Sequence, residues 1–234
     1  AIYSWPPGMF WIWYGLIHQF GGELFSEDGT TVDLTTPAHV EPTQWWHDLR
    51  WDINPDALNG DLTRTGQVGI WRDGPWTLSL WSDPERSQIV DDYGIALMPQ
   101  HDPANPAVWA NSHCFSLPRP DEVDNNKMAA AITFMKYLSE HSYDWSAGAG
   151  QIPASSVVRE SDAWLNGTGA ILEGSRKFAE ALPHAVYFPR HPMMFEVADR
   201  IAAALDGAIN TEEITAEEAL QQATEEVNDI LGNV

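Results

Sequence analysis

The chain has 234 residues and a mass of 26.1 kDa, enough for one large domain or two modest ones with a sizeable core. Its 34 carboxylates oppose 12 Lys and Arg, and the resulting formal charge of −22 excludes generic binding to nucleic-acid phosphate or anionic lipid, which both need a basic face. The longest apolar run, Met9 to Ile17, falls far short of the ~20 residues of a membrane span, and the single cysteine, Cys114, excludes an internal disulfide or a Cys-cluster zinc site.

The first residues, AIYSWPPGMFWIWYG, contain no initiator Met, basic leader region or lipobox Cys. They read as the middle of a folded protein, so a mature or truncated fragment is expected. Residues 8–20 are aromatic or apolar on nearly every side, and Gly21-Gly22 marks a helix end. Residues 23–36 hold the turn Glu27-Asp28-Gly29 between two short β-like pieces. Thr36-Pro37 opens the next helix, Thr as N-cap and Pro at the first position, with Val40, Trp45, Leu49 and Trp46 expected inward. Pro42 lies in its first turns.

Residues 66–72 read as a strand, and Asp73-Gly74-Pro75-Trp76 turns into a helix reaching about Trp81. Residues 92–98 read as a second strand, and Cys114 to Leu117 as another after a Pro-rich loop. A helix over 123–139 carries Met128, Ile132, Met135 and Leu138 at helical spacing, a core stripe. Gly148 to Ala154 is a loop. Further helices are expected at about 168–181, 192–206 and 216–231, the last opened by the capping box Thr215-Ala216-Glu217-Glu218. Many helices with short, separated strands suit an α/β lobe in which helices cover a small sheet.

Nucleophilic catalysis finds no G-x-S-x-G elbow, and His113 and Cys114, adjacent in a strand, would face opposite ways. The eight His form no metal-binding pattern, and Gly148-Ala149-Gly150 is not a P-loop. Acid pairs for glycoside hydrolysis are always available among 34 carboxylates, but none stands out. No cofactor or metal is expected. Only three of the cations are Lys (Lys127, Lys136, Lys177); such a surface suits a salt-adapted host, and equally an acidic protein from a GC-rich genome.

Twelve Trp exceed what a core of this size needs, so several are expected on a surface or cleft. They sit beside turn glycines and polar groups: Trp11 and Trp13 near Met9, Trp71 and Trp76 around Asp73-Gly74-Pro75, Trp109 near Asn111-Ser112-His113. Flat indoles stack on the apolar faces of sugar rings, while carboxylate, amide and guanidinium groups bind hydroxyls. Trp13, Trp45, Trp71 and Trp81 are expected in the core.

An aromatic helix ending in Gly-Gly-Glu-Leu-Phe, the run Gly-Gln-Val-Gly-Ile-Trp-Arg before Asp-Gly-Pro-Trp at 73–76, Tyr-Gly-Ile-Ala-Leu-Met-Pro at 93–99, Gly-Gln-Ile-Pro-Ala at 150–154 and a closing Glu-Glu-Ala-Leu helix follow in order. This series resembles the extracellular solute-binding proteins of ABC importers, in the sugar-binding family that includes maltose-binding protein. The resemblance implies a periplasmic-binding-protein-like α/β fold of two hinged lobes, with the N-terminal lobe largely missing and the C-terminal lobe helix-rich with a small sheet. Residues 1–108 would be the first part of the C-terminal lobe, 109–157 the hinge crossing with a segment of the N-terminal lobe, and 158–234 the second part.

The resemblance also implies a binder and not an enzyme: a monomer, periplasmic or at the cell surface, that takes a carbohydrate and delivers it to ABC permease subunits. Trp76 and Trp11 would stack on sugar, and Phe195 or Met194 would stand where the family has an aromatic in a late helix. Asp73, Trp109, Asn111, His113, Gln151 and Arg190 complete the candidate set. The alternatives are a glycoside-active enzyme with Trp-lined subsites and a same-fold binder of glycerol phosphate or a polyamine.

Overall fold

In the computed structural model, residues 6–53, 60–119, 121–211 and 213–233 are described. Helix α1, Pro6–Gln19, is apolar on nearly all sides and accordingly central, burying Met9, Phe10, Trp13, Tyr14, Leu16 and Ile17. It stops at the glycine pair: Gly21 takes the left-handed φ of 78°, and the Gly22 N–H donates to the Ile17 carbonyl at 2.8 Å.

Helix α2, Pro37–Asp48, begins after Thr36 in extended conformation, but the Thr36 hydroxyl bonds His39 Nδ1 at 2.7 Å and leaves the helix N–H groups uncapped. Its buried residues are His39, Pro42, Thr43 and Trp46. Trp45, expected inward, is 51% exposed. At about 100° per residue, the stripe through positions 39, 42, 43 and 46 leaves position 45 on the flank. A wider π turn, Leu49–Ile53, prolongs α2, and Trp51 Nε1 donates at 2.9 Å to the carbonyl of Ile209 in a second π turn, Asp206–Asn210.

Helix α3 is Gly60–Arg64, and after an extended stretch a 3₁₀ turn, Pro75–Thr77, leads into α4, Leu78–Trp81. Strand β1 is Val108–Trp109. Helices α5, Asn125–Glu140, α6, Ser142–Ala149, α7, Ser156–Arg159, α8, Asp162–Asn166, and α9, Ala170–Ala179, follow. Strand β2, Ala185–Val186, pairs parallel with β1, Val108 opposite Ala185 and Trp109 opposite Val186. Helix α10, Met194–Leu205, and helix α11, Ala216–Leu231, close the chain, α11 opened by the full Thr215–Glu218 capping box.

Two packed groups result. In the larger, α1, α2, α10 and α11 enclose one hydrophobic core with Val197, Ile201, Leu205, Leu220, Ala223 and Val227 facing α1 and Trp46. Two buried polar side chains there are linked: Trp13 Nε1 donates to Thr43 Oγ1 at 2.7 Å, and Thr43 Oγ1 donates to the His39 carbonyl at 2.7 Å. In the smaller, α4, α6 and α9 meet the 3₁₀ turn around the fully buried Leu78.

The expected strands at 66–72, 92–98 and 114–117, and the β-like pieces of 23–36, do not form strands in the described residues. A strand is defined by a repeating hydrogen-bond ladder, and the ladder among the described residues joins Val108–Trp109 to Ala185–Val186 instead. The core stripe expected on the 123–139 helix is also corrected. Helix α5 has no buried residue; Ile132 is 53% exposed and Phe134 61%, with Met128, Met135 and Leu138 half-buried. No helix among the described residues is long and apolar enough to cross a membrane.

Candidate functional site

The Gly-Pro-Trp turn is built by its neighbours in sequence. Asp73 Oδ2 accepts from Trp71 Nε1 at 2.9 Å, and Oδ1 accepts from the Gly74 N–H at 2.8 Å. The carboxylate expected to meet a ligand therefore spends one bond on each oxygen in orienting the turn. Pro75 opens the 3₁₀ turn, and the Trp76 ring folds back over Gly74, where a Cβ would lie 2.3 Å from it. Only glycine leaves room for that ring. Trp76 remains 47% exposed, an indole supported from beneath and open to solvent. Trp71 and Trp81, expected in the core, are half-buried.

Beneath the turn lies the loop after α6. Gly150 approaches so closely that a Cβ there would stand 2.6 Å from the Pro75 carbonyl. Gln151, half-buried, follows Gly150 directly, and its carbonyl accepts from Ser175 Oγ at 3.4 Å. Arg72 keeps solvent access, but protein crowding around its guanidinium pulls its pKa down to about 10 against the opposing pull of Asp73, and it stays charged at neutral pH.

A second aromatic group forms on the larger core. Trp11 and Trp109 stack face to face, centroids 5.0 Å apart and planes 4° from parallel. Gly15 allows β1 this close, since a Cβ there would lie 3.0 Å from the Trp109 nitrogen. Phe188 joins at 5.8 Å from Trp109 and 5.0 Å from Tyr14. The Tyr14 hydroxyl donates to the Tyr187 carbonyl at 2.9 Å. Burial, helped by Glu23, pushes its pKa up to about 12, so the proton that makes this bond is retained.

The sequence reading missed Phe188 and Tyr187; the signal was the aromatic pair just before Pro189-Arg190. The other candidates lie apart. His113 is exposed with its ring 5.6 Å from Trp145, and Asn111 is exposed, its Oδ1 accepting from the Ser112 N–H at 2.8 Å. Arg190 is exposed, with no described hydrogen bond or ion pair. Phe195 is 78% exposed, although its neighbours Met194 and Val197 are buried. No described ring contact or hydrogen bond joins Trp76 to the Trp11–Trp109 pair. A hollow of about 290 Å³ opens beside the turn, among Arg64, Trp71, Asp73, Thr77, Trp81 and Arg86, and neither Trp11 nor Trp76 lines it. Trp76 has an open face, a geometry suited to stacking against a flat partner, whereas Trp11 is half-buried, packed against the larger core and stacked on Trp109.

No protein-family model matches the chain, and no curated protein matches its sequence. Solved structures do match its fold. An ABC transporter solute-binding protein of Thermotoga lettingae bound with α-D-tagatose superposes with a TM-score of 0.74 at 21% identity, over 96% of this chain and 57% of that one. A maltose-bound MalE3 of T. maritima gives 0.71 at 21% identity, covering 96% and 58%. The cyclic α-maltosyl-1,6-maltose binding protein of Arthrobacter globiformis gives 0.71 at 24%, covering 98% and 57%. The chain thus spans 57–58% of the length of these structures. Helices around a small sheet, matched along nearly the whole chain, give this protein the periplasmic-binding-protein-like fold of ABC-importer solute-binding proteins of the maltose-binding-protein kind.

Proposed function

We propose that the chain belongs to a carbohydrate-binding component of an ABC importer, working outside the cell membrane and handing its sugar to permease subunits without chemical change. The observation that carries this reading is the supported, 47%-exposed Trp76 indole on its Gly-Pro turn. The matched structures lend support, since they carry maltose, tagatose and, in an Agrobacterium radiobacter solute-binding protein, ribitol. Trp76 stacks on one ring and the Trp11–Trp109 pair offers a second face. Gln151, Arg190, His113 and Asn111 supply hydroxyl partners as a second lobe closes about a hinge.

Residues 109–157 then form the hinge crossing and a segment of that other lobe. The exposure of every described residue from 111 to 119, and of Ile132, Phe134 and Tyr137 on α5, supports this division. Ligand favours the closed state because it touches both lobes only there. The test is titration of the full-length protein with maltose and maltotriose, followed by Trp fluorescence and calorimetry. Trp76→Ala weakens binding by roughly 1.5–3 kcal/mol, the scale of a buried aromatic contact. Unchanged affinity would return Trp76 to a packing role, and release of reducing ends from the oligosaccharide would point to an enzyme.

A further inference from the structure

We infer that Gly150, Gly174 and the Ser146–Ser175 pair are positioning residues that hold the Trp76 turn and Gln151 in one fixed relation before any ligand arrives. The inference rests on the reading of Trp76 as a stacking face. Leu78, fully buried, lies between two glycines from different helices. A Cβ at Gly150 would lie 2.6 Å from the Pro75 carbonyl and 2.7 Å from Leu78 Cδ1; one at Gly174 would lie 2.6 Å from Leu78 Cδ2 and 2.9 Å from Ile95 Cδ1. Gly150 is required a second way, because it ends α6 at the left-handed φ of 82°. The pair forms a slot that grips the turn two residues past Trp76.

A chain of hydrogen bonds keeps the walls of that slot in register. Trp164 Nε1 donates to Ser146 Oγ at 3.0 Å, Ser146 and Ser175 hydroxyls meet at 3.3 Å, and Ser175 Oγ donates to the Gln151 carbonyl at 3.4 Å. Each hydroxyl has one proton. The carbonyl only accepts and the indole only donates, so the direction is set: Trp164 to Ser146 to Ser175 to Gln151. Both serines are fully buried, where water does not compete. They join α6 to α9 and tie both to the main chain of a candidate ligand residue. With Leu78 gripped and Gln151 tethered, the indole needs no reordering to meet a flat ligand, which reduces the entropic cost of binding.

The experiment uses the full-length protein labelled with 5-fluorotryptophan, the Trp76 signal being assigned through Trp76→Phe, with maltose as the probe. In ¹⁹F spectra of the sugar-free protein well below its melting temperature, Gly150→Ala and Ser175→Ala both shift the Trp76 resonance. Maltose affinity falls about tenfold in the first and about threefold in the second, as lost preorganisation and one lost buried hydrogen bond imply. Val227→Ala, a core change in α11, supplies a melting-temperature control and moves neither the Trp76 signal nor the affinity. An unmoved Trp76 resonance in the folded Gly150→Ala or Ser175→Ala protein overturns the inference, as does a Val227→Ala protein that behaves like Gly150→Ala. Should Gly150→Ala fail to fold, Ser175→Ala decides alone. The stacking reading fails separately, if Trp76→Ala leaves maltose affinity unchanged; the resonance shift still decides whether these residues position the ring.

Discussion

Helices α5 and α10 have the same kind of sequence and opposite fates. On α10, Met194, Val197, Ile201 and Leu205 recur at helical spacing and all are buried. On α5, Met128, Ile132, Met135 and Leu138 recur at the same spacing and none is fully buried. Helix α10 lies between α1 and α11, whereas α5 touches little besides α6. An apolar stripe therefore states a need for a partner and does not supply one. The α5 face, with Phe115, Leu117 and Val123 exposed just before it, is the part of the molecule whose need is unmet.

The comparison is broken most directly by truncation on each helix. Ile201→Ala, at a fully buried site, is expected to cost about 2–5 kcal/mol, read from the shift in denaturant midpoint. An effect below about 1 kcal/mol would mean that the α10 core is not closely packed. Next in size is Thr215→Ala, which removes the capping box of α11 and should cost about 1 kcal/mol by the same measurement.

A third prediction concerns pH. Burial, outweighing Glu23 and the bond to the Glu23 carbonyl, holds His18 and His39 below the ordinary histidine value of 6.5. In the folded state His39 accepts from Thr36 and donates to Glu23, a neutral ring with both nitrogens engaged. Below about pH 6.5 the unfolded chain takes up protons that the folded chain resists, so stability falls as pH falls below that value. His39→Gln should flatten that slope in denaturant melts taken across the window; an equally steep slope would exclude His39 as its source. The smallest effect belongs to α5: Ile132→Ser in this chain should stay within about 0.5 kcal/mol while lowering the binding of an apolar dye. A loss comparable to that of Ile201→Ala would mean that α5 is covered after all.

Local signals were the legible part. The Gly21-Gly22 stop, the Thr215 cap and the 3.6-residue periodicity of α9, α10 and α11 each depend on residues a few positions apart, and the chain adopts them where expected. The burial of Trp13 matches the expectation that it lies in the core, and Trp76, which the resemblance places at a ligand, is exposed. The outward turn of Trp45 was not, because a one-residue rotation of the helix decides between Trp45 and Trp46. Asp73 was read as a ligand carboxylate, whereas Trp71 and Gly74 draw its oxygens into the turn. Phe188 reaches Trp109 from 79 positions away, a contact that no window along the chain contains.

By itself, the order of residues determined where helices start and stop, which turn requires glycine, and how strongly acidic the chain is. These follow from backbone sterics, capping bonds and net charge, which act over short stretches or on the total composition. Pairing decided the rest. Among the described residues the sheet forms at Val108–Trp109 and Ala185–Val186, outside the segments read as strands, and an apolar stripe became core where a second helix arrived to cover it. Hydrogen-bond ladders and hydrophobic burial are properties of two surfaces meeting, so the fold had to be assembled before either could be assigned.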